Sequence, residues 1–410
     1  NKVKDNYNKL ALKPGESTSC FVLFGPVDAK QVTAFVPQAG FVTVDVVGKD
    51  APTASGVDLA AMDKAFDSVA TIGYSRDKAK PHEALEAPVT IERFARALDN
   101  STSTHTGSKD ITVTLASDVT FASDSADLAP GAEAQLKTVA GQLAQYPDGG
   151  TLTIVGHTDD VQDDAYNQTL SEKRANAVKT RLEQLAKLDT WQTSVSGKGE
   201  SEPKVKDTSD EARAANRRVE ITLTPTGGTT SKNTAPSAGT GSLPETKGPV
   251  AKGSEGVTVK SESGDDQLTI TIDHVTRTGG YLLGQLHTTI SAKKGSTPRG
   301  LEIWLGDKEV LFSNSRSEDG SNEATEFSSD GLTLLAGGER IYPADYLDAG
   351  FKTHVPLTEL ELVPTIKAGT TTVCVIWPDP GGDTVTLDHA AWKEVADFAF
   401  RLTDIPVKNS

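Results

Sequence analysis

A chain of 410 residues can hold about two to four domains, each with its own core, and 36% apolar with 6% aromatic content excludes a fully disordered polymer. The balance of 41 Lys+Arg against 57 Asp+Glu leaves a formal charge of -16, a field that repels nucleic acid and anionic lipid. No run of about 20 apolar residues marks a membrane span.

The start, Asn1-Lys2-Val3-Lys4-Asp5, carries neither an initiator Met nor an apolar signal core, and with the repeat described below it reads as a mature or trimmed fragment. Residues 1–50 are predicted to be β-rich, part of a β-sandwich. Leu10 and Leu12 alternate with polar neighbours, Pro14-Gly15 signals a turn, and 19–24, 32–36 and 41–47 carry strand composition. Residues 51–108 read as a linker with short helices, over 59–66 and 91–98, ending in a flexible Ser/Thr lead at 100–107.

Residues 109–225 alternate strand and helix. Strand patterns occupy 111–115, 151–155, 191–195 and 218–223. Leu136, Val139, Ala140 and Leu143 fall on one face of a helix over 130–146, and Ala175, Val178, Leu182 and Leu185 on one face of a helix over 170–188. The expected fold is a central α/β two-layer sandwich, one sheet covered by two helices, in a multidomain chain flanked by all-β sandwich regions. Residues 226–256, rich in Gly, Thr, Ser and Pro, read as a flexible linker. Residues 257–410 read as a β-sandwich domain, with strands such as 257–259, 268–272, 301–305 and 332–335, and a short helix near 390–396. Residues 340–346 carry two tyrosines and read as either a surface feature or a core edge.

Gly15 stands five residues before Cys20, and Gly369 five before Cys374, each cysteine opening an apolar strand. This reads as two copies of one sandwich edge, or as two unrelated hairpins. In the first case the two cysteines are separate buried thiols; a single disulfide is the other reading.

Several stretches of the middle region carry a recognisable pattern in order: Asp118-Val119-Thr120-Phe121, Ser125-Ala126-Asp127-Leu128, Gly156-His157-Thr158-Asp159, Asn167 through Ala175, Gly197-Lys198-Gly199-Glu200, and Asn216-Arg217-Arg218-Val219-Glu220. Together they resemble the OmpA C-terminal family, shared with peptidoglycan-associated lipoprotein and flagellar stator proteins. The resemblance implies peptidoglycan binding without bond cleavage, through the diaminopimelate of the stem peptide. It also implies an extracytoplasmic location, in the cell wall, the periplasm or at the cell surface. It assigns nothing to the flanking β regions, for which an envelope protein or glycan is the expected kind of partner.

The residues support that reading independently. Asp159 follows a strand, on the loop where α/β folds place their sites, and Arg174 lies in the next helix after an expected Thr169 or Ser171 cap. Such a carboxylate and guanidinium suit a zwitterion, Asp159 taking the ammonium and Arg174 the carboxylate. A structural Asp159–Arg174 ion pair is the competing reading.

Thr158, with adjacent backbone N–H groups, is expected at the same carboxylate. Asn167 either bonds the ligand or braces the loop, and Leu170 either lies under the ligand's aliphatic chain or joins the core. One of Arg217 and Arg218 faces the site, Arg217 being the candidate, while Arg218 is expected to pair with Asp118. His157 is expected to be structural. Gln162 stands where the family pattern has Gly, which predicts a different loop path. The Asp159-Asp160…Asp163-Asp164 run lacks calcium-loop spacing.

No Gly-x-Ser-x-Gly, no His-Glu-x-x-His and no pattern among the seven histidines supports a hydrolase, so neither enzyme activity, cofactor nor metal is expected. A cell-wall-associated enzyme, or an adaptor acting through its β-sandwiches, is the alternative class.

Overall fold

The computed structural model describes residues 27–48, 89–122, 124–229, 243–261, 263–296, 298–306, 328–348, 353–359, 368–390 and 398–410. The expected strand around Cys20, the helix over 59–66, residues 360–362 and most of the helix near 390–396 lie outside the described residues. The chain divides into two units, residues 1–34 with 42–88, and residues 35–41 with 89–410. A two-stranded hairpin pairs β1 (Gln31–Val36) with β2 (Gly40–Asp45), as the β-branched pattern predicts. The Thr33 and Thr43 hydroxyls meet at 3.0 Å across it.

The α/β layer contains β3 (Arg93–Ala97), β4 (Thr102–Thr106), β5 (Ile111–Ala116), α1 (Ser117–Thr120), α2 (Ala132–Ala144), β6 (Gly150–Gly156), α3 (Asp164–Leu185), β7 (Trp191–Gly197), α4 (Asp210–Asn216) and β8 (Arg218–Pro225). Across the sheet the order is β3-β4-β5-β8-β6-β7. β6 and β7 are parallel, which requires the α3 crossover between them. β8 returns antiparallel between β5 and β6.

Alternation along β5 sends Ile111, Val113 and Leu115 inward, where Leu136, Val139 and Leu143 of α2 and Ala175, Val178 and Leu182 of α3 cover them in one core. This is the expected two-layer sandwich. α3 begins at Asp164, not near residue 170, because the Asp163 carboxylate caps it by accepting from the Tyr166 N–H at 2.9 Å. Thr169 and Ser171 therefore sit inside the helix.

Two expectations fail at the N-terminal edge of this layer. The stretch over 91–98 is strand β3, not helix, and 100–107 contains strand β4, not a flexible lead. The local Arg-Phe-Ala-Arg-Ala sequence favours helix, but β4 and β15 (Glu339–Ile341) offer it ladders on both sides.

The C-terminal region comprises β9 (Val250–Lys252), β10 (Val257–Lys260), β11 (Asp266–Thr271), β12 (Val275–Thr278), β13 (Tyr281–Ala292), α5 (Leu301–Leu305), β14 (Thr333–Ala336), β15, β16 (Asp345–Asp348), β17 (Thr353–Pro356), β18 (Gly369–Pro378), β19 (Thr384–His389) and β20 (Phe400–Asn409). These strands close around a second core that includes Leu286, Trp304, Trp377 and Phe400. Through the β15–β3 pairing one hydrogen-bonded sheet runs from this region into the α/β layer.

Two expectations are corrected here, and one open reading is settled. Residues 301–305 are helix, with Leu301, Trp304 and Leu305 buried at helical spacing. Part of the expected linker over 226–256 is ordered: β9 pairs in parallel with β20, and Arg401 Nη1 donates to the Pro244 carbonyl at 2.9 Å. The 340–346 stretch is a core edge, since Ile341, Tyr342, Ala344 and Asp345 are all buried. Cys374 is a buried thiol in β18, and burial pushes its pKa up to about 12.

Candidate functional site

At the C-terminal ends of β5 and β6 the α/β layer opens into a cavity of ≈ 470 Å³. The two glycines that end β6 and β7 let α3 approach: a Cβ on Gly156 or Gly197 would run into Ser171. That approach sets the N-terminal half of α3, with Asn167, Leu170 and Arg174, beside the loop carrying Thr158 and Asp159. From the opposite side α1 brings Ser117 and Asp118, and the end of α4 brings Arg217. All six residues singled out from the sequence, Asp159, Arg174, Thr158, Asn167, Leu170 and Arg217, line this one cavity. Ser117, Asp118, Phe121, Asp124 and Gln162 line it too. Of these, Phe121 and Asp118 were visible as motif letters but carried no assigned contact with the site.

Asp159 and Arg174 do not pair with each other. Asp159 Oδ2 accepts from Arg217 Nη1 at 2.6 Å, and among the described residues Oδ1 accepts only a long 3.4 Å bond from the Val161 N–H. Arg217 also donates from Nε and Nη2 to the two oxygens of Asp118, each at 2.7 Å. The hydrogen bonds from Arg217 hold the Asp118 carboxyl below the usual carboxylate range, and Asp118 in turn raises the guanidinium. The expected Arg218–Asp118 pair is therefore wrong: Arg218 points along the strand and donates to Glu220 at 2.7 Å. Residues adjacent on an extended chain face opposite ways, and Arg217 has the site side.

Arg174 is buried, with 5% of its surface exposed. Its Nε donates to the Ser125 carbonyl at 2.9 Å and its guanidinium carbon lies 5.2 Å from the Phe121 ring centroid. Among the described residues the two Nη groups have no protein acceptor. Burial pulls its pKa below the ordinary guanidinium value, yet an arginine stays charged at neutral pH. The hydroxyls of Ser117 and Thr158, both cavity-lining residues, are buried without a protein partner among the described residues, a state that native proteins reserve for water or ligand.

The remaining residues resolve their open readings. Asn167 Nδ2 donates to Gln162 O at 3.0 Å, Asp159 O at 3.2 Å and Glu200 Oε2 at 2.6 Å, so it braces the loop. The Thr158 N–H is taken by the Gly199 carbonyl at 2.9 Å, which leaves its hydroxyl to face a ligand. Leu170 lies outside the core, half-buried at the cavity wall. Gln162 does not adopt positive φ, in keeping with a loop path different from a glycine-bearing one. The acidic run is divided among separate partners: Asp160 accepts from Arg213 at 2.7 Å and Asp163 caps α3. His157, behind the site, is 2% exposed, and both of its ring nitrogens are buried without hydrogen bonds. Burial, then the nearby Arg218 charge, lowers its pKa to about 4, so it is neutral and structural.

Fold and cavity together define a two-layer α/β module with a mixed-charge cleft at its strand ends. Residues 120–217 are an OmpA-family domain. The chain is 43% identical over 103 residues to outer membrane porin F of Pseudomonas aeruginosa, covering 25% of this chain and 29% of that protein. It is 40% identical over 119 residues to outer membrane protein A of Citrobacter freundii, covering 26% of this chain and 49% of the relative. It thus spans less than half the length of either.

Among solved structures, the cell wall anchor of the T6SS from Pseudomonas aeruginosa is similar at 28% identity and TM-score 0.28, over 31% of this chain and 90% of that one. The peptidoglycan-associated lipoprotein from Burkholderia pseudomallei is similar at 27% identity and TM-score 0.23, over 28% and 87%. The two relatives are outer-membrane proteins by name. Among the described residues no helix is long and apolar enough to cross a membrane.

Proposed function

We propose that this cavity binds peptidoglycan non-covalently, through the zwitterionic D-centre of a meso-diaminopimelate stem peptide, and so anchors the chain to the wall. The single observation that carries the reading is the pairing pattern around Arg174 and Asp159. The two side chains line one cavity, carry opposite charge, and are not joined to each other. The Nη groups of Arg174 are left to grip a carboxylate in a partly desolvated setting, where a charge-assisted forked bond is strongest. Asp159 Oδ1, held among the described residues by the long Val161 contact, accepts the ammonium. Arg217 fixes the Asp159 carboxylate in place, a positioning part rather than the expected direct ligand contact. Thr158 Oγ1 adds a hydroxyl, and Leu170 gives the diaminopimelate chain an apolar wall.

The test is sedimentation of purified protein with insoluble sacculi. Asp159→Asn and Arg174→Ala are each expected to weaken pelleting by about 1–3 kcal/mol, roughly 5- to 150-fold. Sacculi that carry lysine in place of diaminopimelate, and so lack the D-centre, are expected to pellet the protein poorly. Unchanged pelleting by both folded variants rejects the site; equal pelleting by both wall types rejects diaminopimelate as the determinant. Prolonged incubation is expected to release no soluble muropeptides.

A further inference from the structure

A second cluster of chemistry-bearing side chains lies where the β3–β4 hairpin meets the β16–β17 hairpin. Glu92 and Asp345 form an isolated antiparallel bridge, with the Glu92 N–H donating to the Asp345 carbonyl at 2.6 Å. Asp345 pairs with Pro356 and Leu347 with His354, so Asp345 and His354 share one face of their hairpin. Phe94 pairs with His105, and Glu92, two residues before Phe94, shares the face of His105. The two faces converge. His354 Nδ1 lies 3.4 Å from Glu92 Oε2 and 3.6 Å from Asp345 Oδ2, and the three ligand atoms all fall within 4.8 Å of one another. His105 Nε2 lies 2.7 Å from the same Glu92 oxygen. The Asp345 side chain is fully buried, and those of Glu92 and His354 are 15% and 12% exposed.

We infer that Glu92, Asp345 and His354 form a site for a single divalent transition-metal ion of the Zn²⁺ type, with His105 as the residue that positions Glu92. A tetrahedral ion with bonds of about 2.0–2.1 Å to oxygen and nitrogen spaces its ligands by roughly 3.3–3.4 Å, and the two histidine–carboxylate separations already stand near that edge. A dication between the two carboxylates attracts both. An imidazole in the set selects a transition metal over Ca²⁺ or Mg²⁺, which take oxygen ligands. Among the described residues the site supplies three protein ligands. The hydrogen bond from His105 to the coordinating carboxylate is the outer contact that such ligands characteristically have. The bound ion would tie the two hairpins together and thereby fasten the β-sandwich to the strand that leads into the OmpA-family domain. Sequence spacing predicts no metal here, since the four residues come from four separated stretches.

The experiment is a Zn²⁺ titration of the whole chain after chelator treatment, followed by calorimetry and by histidine side-chain NMR. One equivalent is expected to bind, to move the ring resonances of His354, and to raise Tm. His354→Ala and Glu92→Gln are each expected to lose that equivalent, and His105→Ala to bind about 10- to 100-fold more weakly. No stoichiometric uptake by the unaltered chain overturns the site. So does uptake that leaves the His354 resonances in place, a readout that does not depend on any variant folding. Equal uptake by both folded variants overturns it as well. Sacculus pelleting by the zinc-free protein, followed in parallel, separates this outcome from the fate of the wall-binding proposal.

Discussion

Arg217 donates through Nη1 to Asp159 Oδ2 at 2.6 Å while its other two nitrogens hold both oxygens of Asp118. One planar cation thus sets the geometry of two carboxylates, one on α1 and one on the loop after β6, a task that needs three donors in fixed directions. Lysine keeps the charge but not the fork. Arg217→Lys is therefore expected to weaken sacculus pelleting tenfold or more while the domain stays folded, as read by circular dichroism. Pelleting equal to that of the unaltered chain would show that the bridge has no part in organising the cleft.

His157 supplies a pH dependence whose sign is fixed. The unfolded chain takes up the proton near the ordinary value of 6.5 and the folded chain only near 4. Between those values the unfolded state holds more protons, so stability is fully present above about pH 6.5 and declines as pH falls toward 4. The loss is on the order of 3 kcal/mol across the window. Urea unfolding of the domain at stepped pH is expected to show this decline, and His157→Phe, which cannot take up a proton, to flatten it. An unchanged profile in the variant would assign the acid sensitivity to other groups.

Close packing of α3 on the strand ends makes a prediction of its own. Gly197→Ala places a methyl group against Ser171 and the Glu172 backbone. Overpacking of this kind costs about 1–3 kcal/mol. The expected readout is a lower urea midpoint together with weaker pelleting, because the helix that carries Arg174 must back away. A midpoint shift without a binding change would mean that helix position and cleft geometry are independent.

Asn167 braces the loop by donating to two carbonyls and to Glu200. Asn167→Asp puts a carboxylate where that donor stood, 2.6 Å from Glu200 Oε2. Loss of a buried donor costs about 1–3 kcal/mol, and the like-charge contact adds to it. Faster amide hydrogen exchange over residues 158–163 is the expected signature. Exchange unchanged in that loop would remove Asn167 from its support.

Most of the α/β layer was legible because its signals are local. The three- and four-residue steps of Leu136, Val139 and Leu143, and the alternation of Ile111, Val113 and Leu115, each report a buried face without reference to the rest of the chain. Strands β3 and β4 were not legible, since Arg93–Ala97 becomes strand only when β4 and β15 pair with it. Helix α5 was legible in principle from Leu301, Trp304 and Leu305, but an apolar run of five residues fits a buried strand equally well.

Of the cleft, the sequence alone determined the cast: six residues whose types and order resemble one family stand around one cavity. It could not determine the partners. Arg217 rather than Arg218 holds Asp118, Asp159 answers to Arg217 rather than Arg174, and His105 and His354 meet two acids across two hairpins. Only the tertiary structure decided these. Periodicity along a chain records which face a side chain takes, whereas an ion pair depends on distances of a few ångströms between segments that the fold alone brings together.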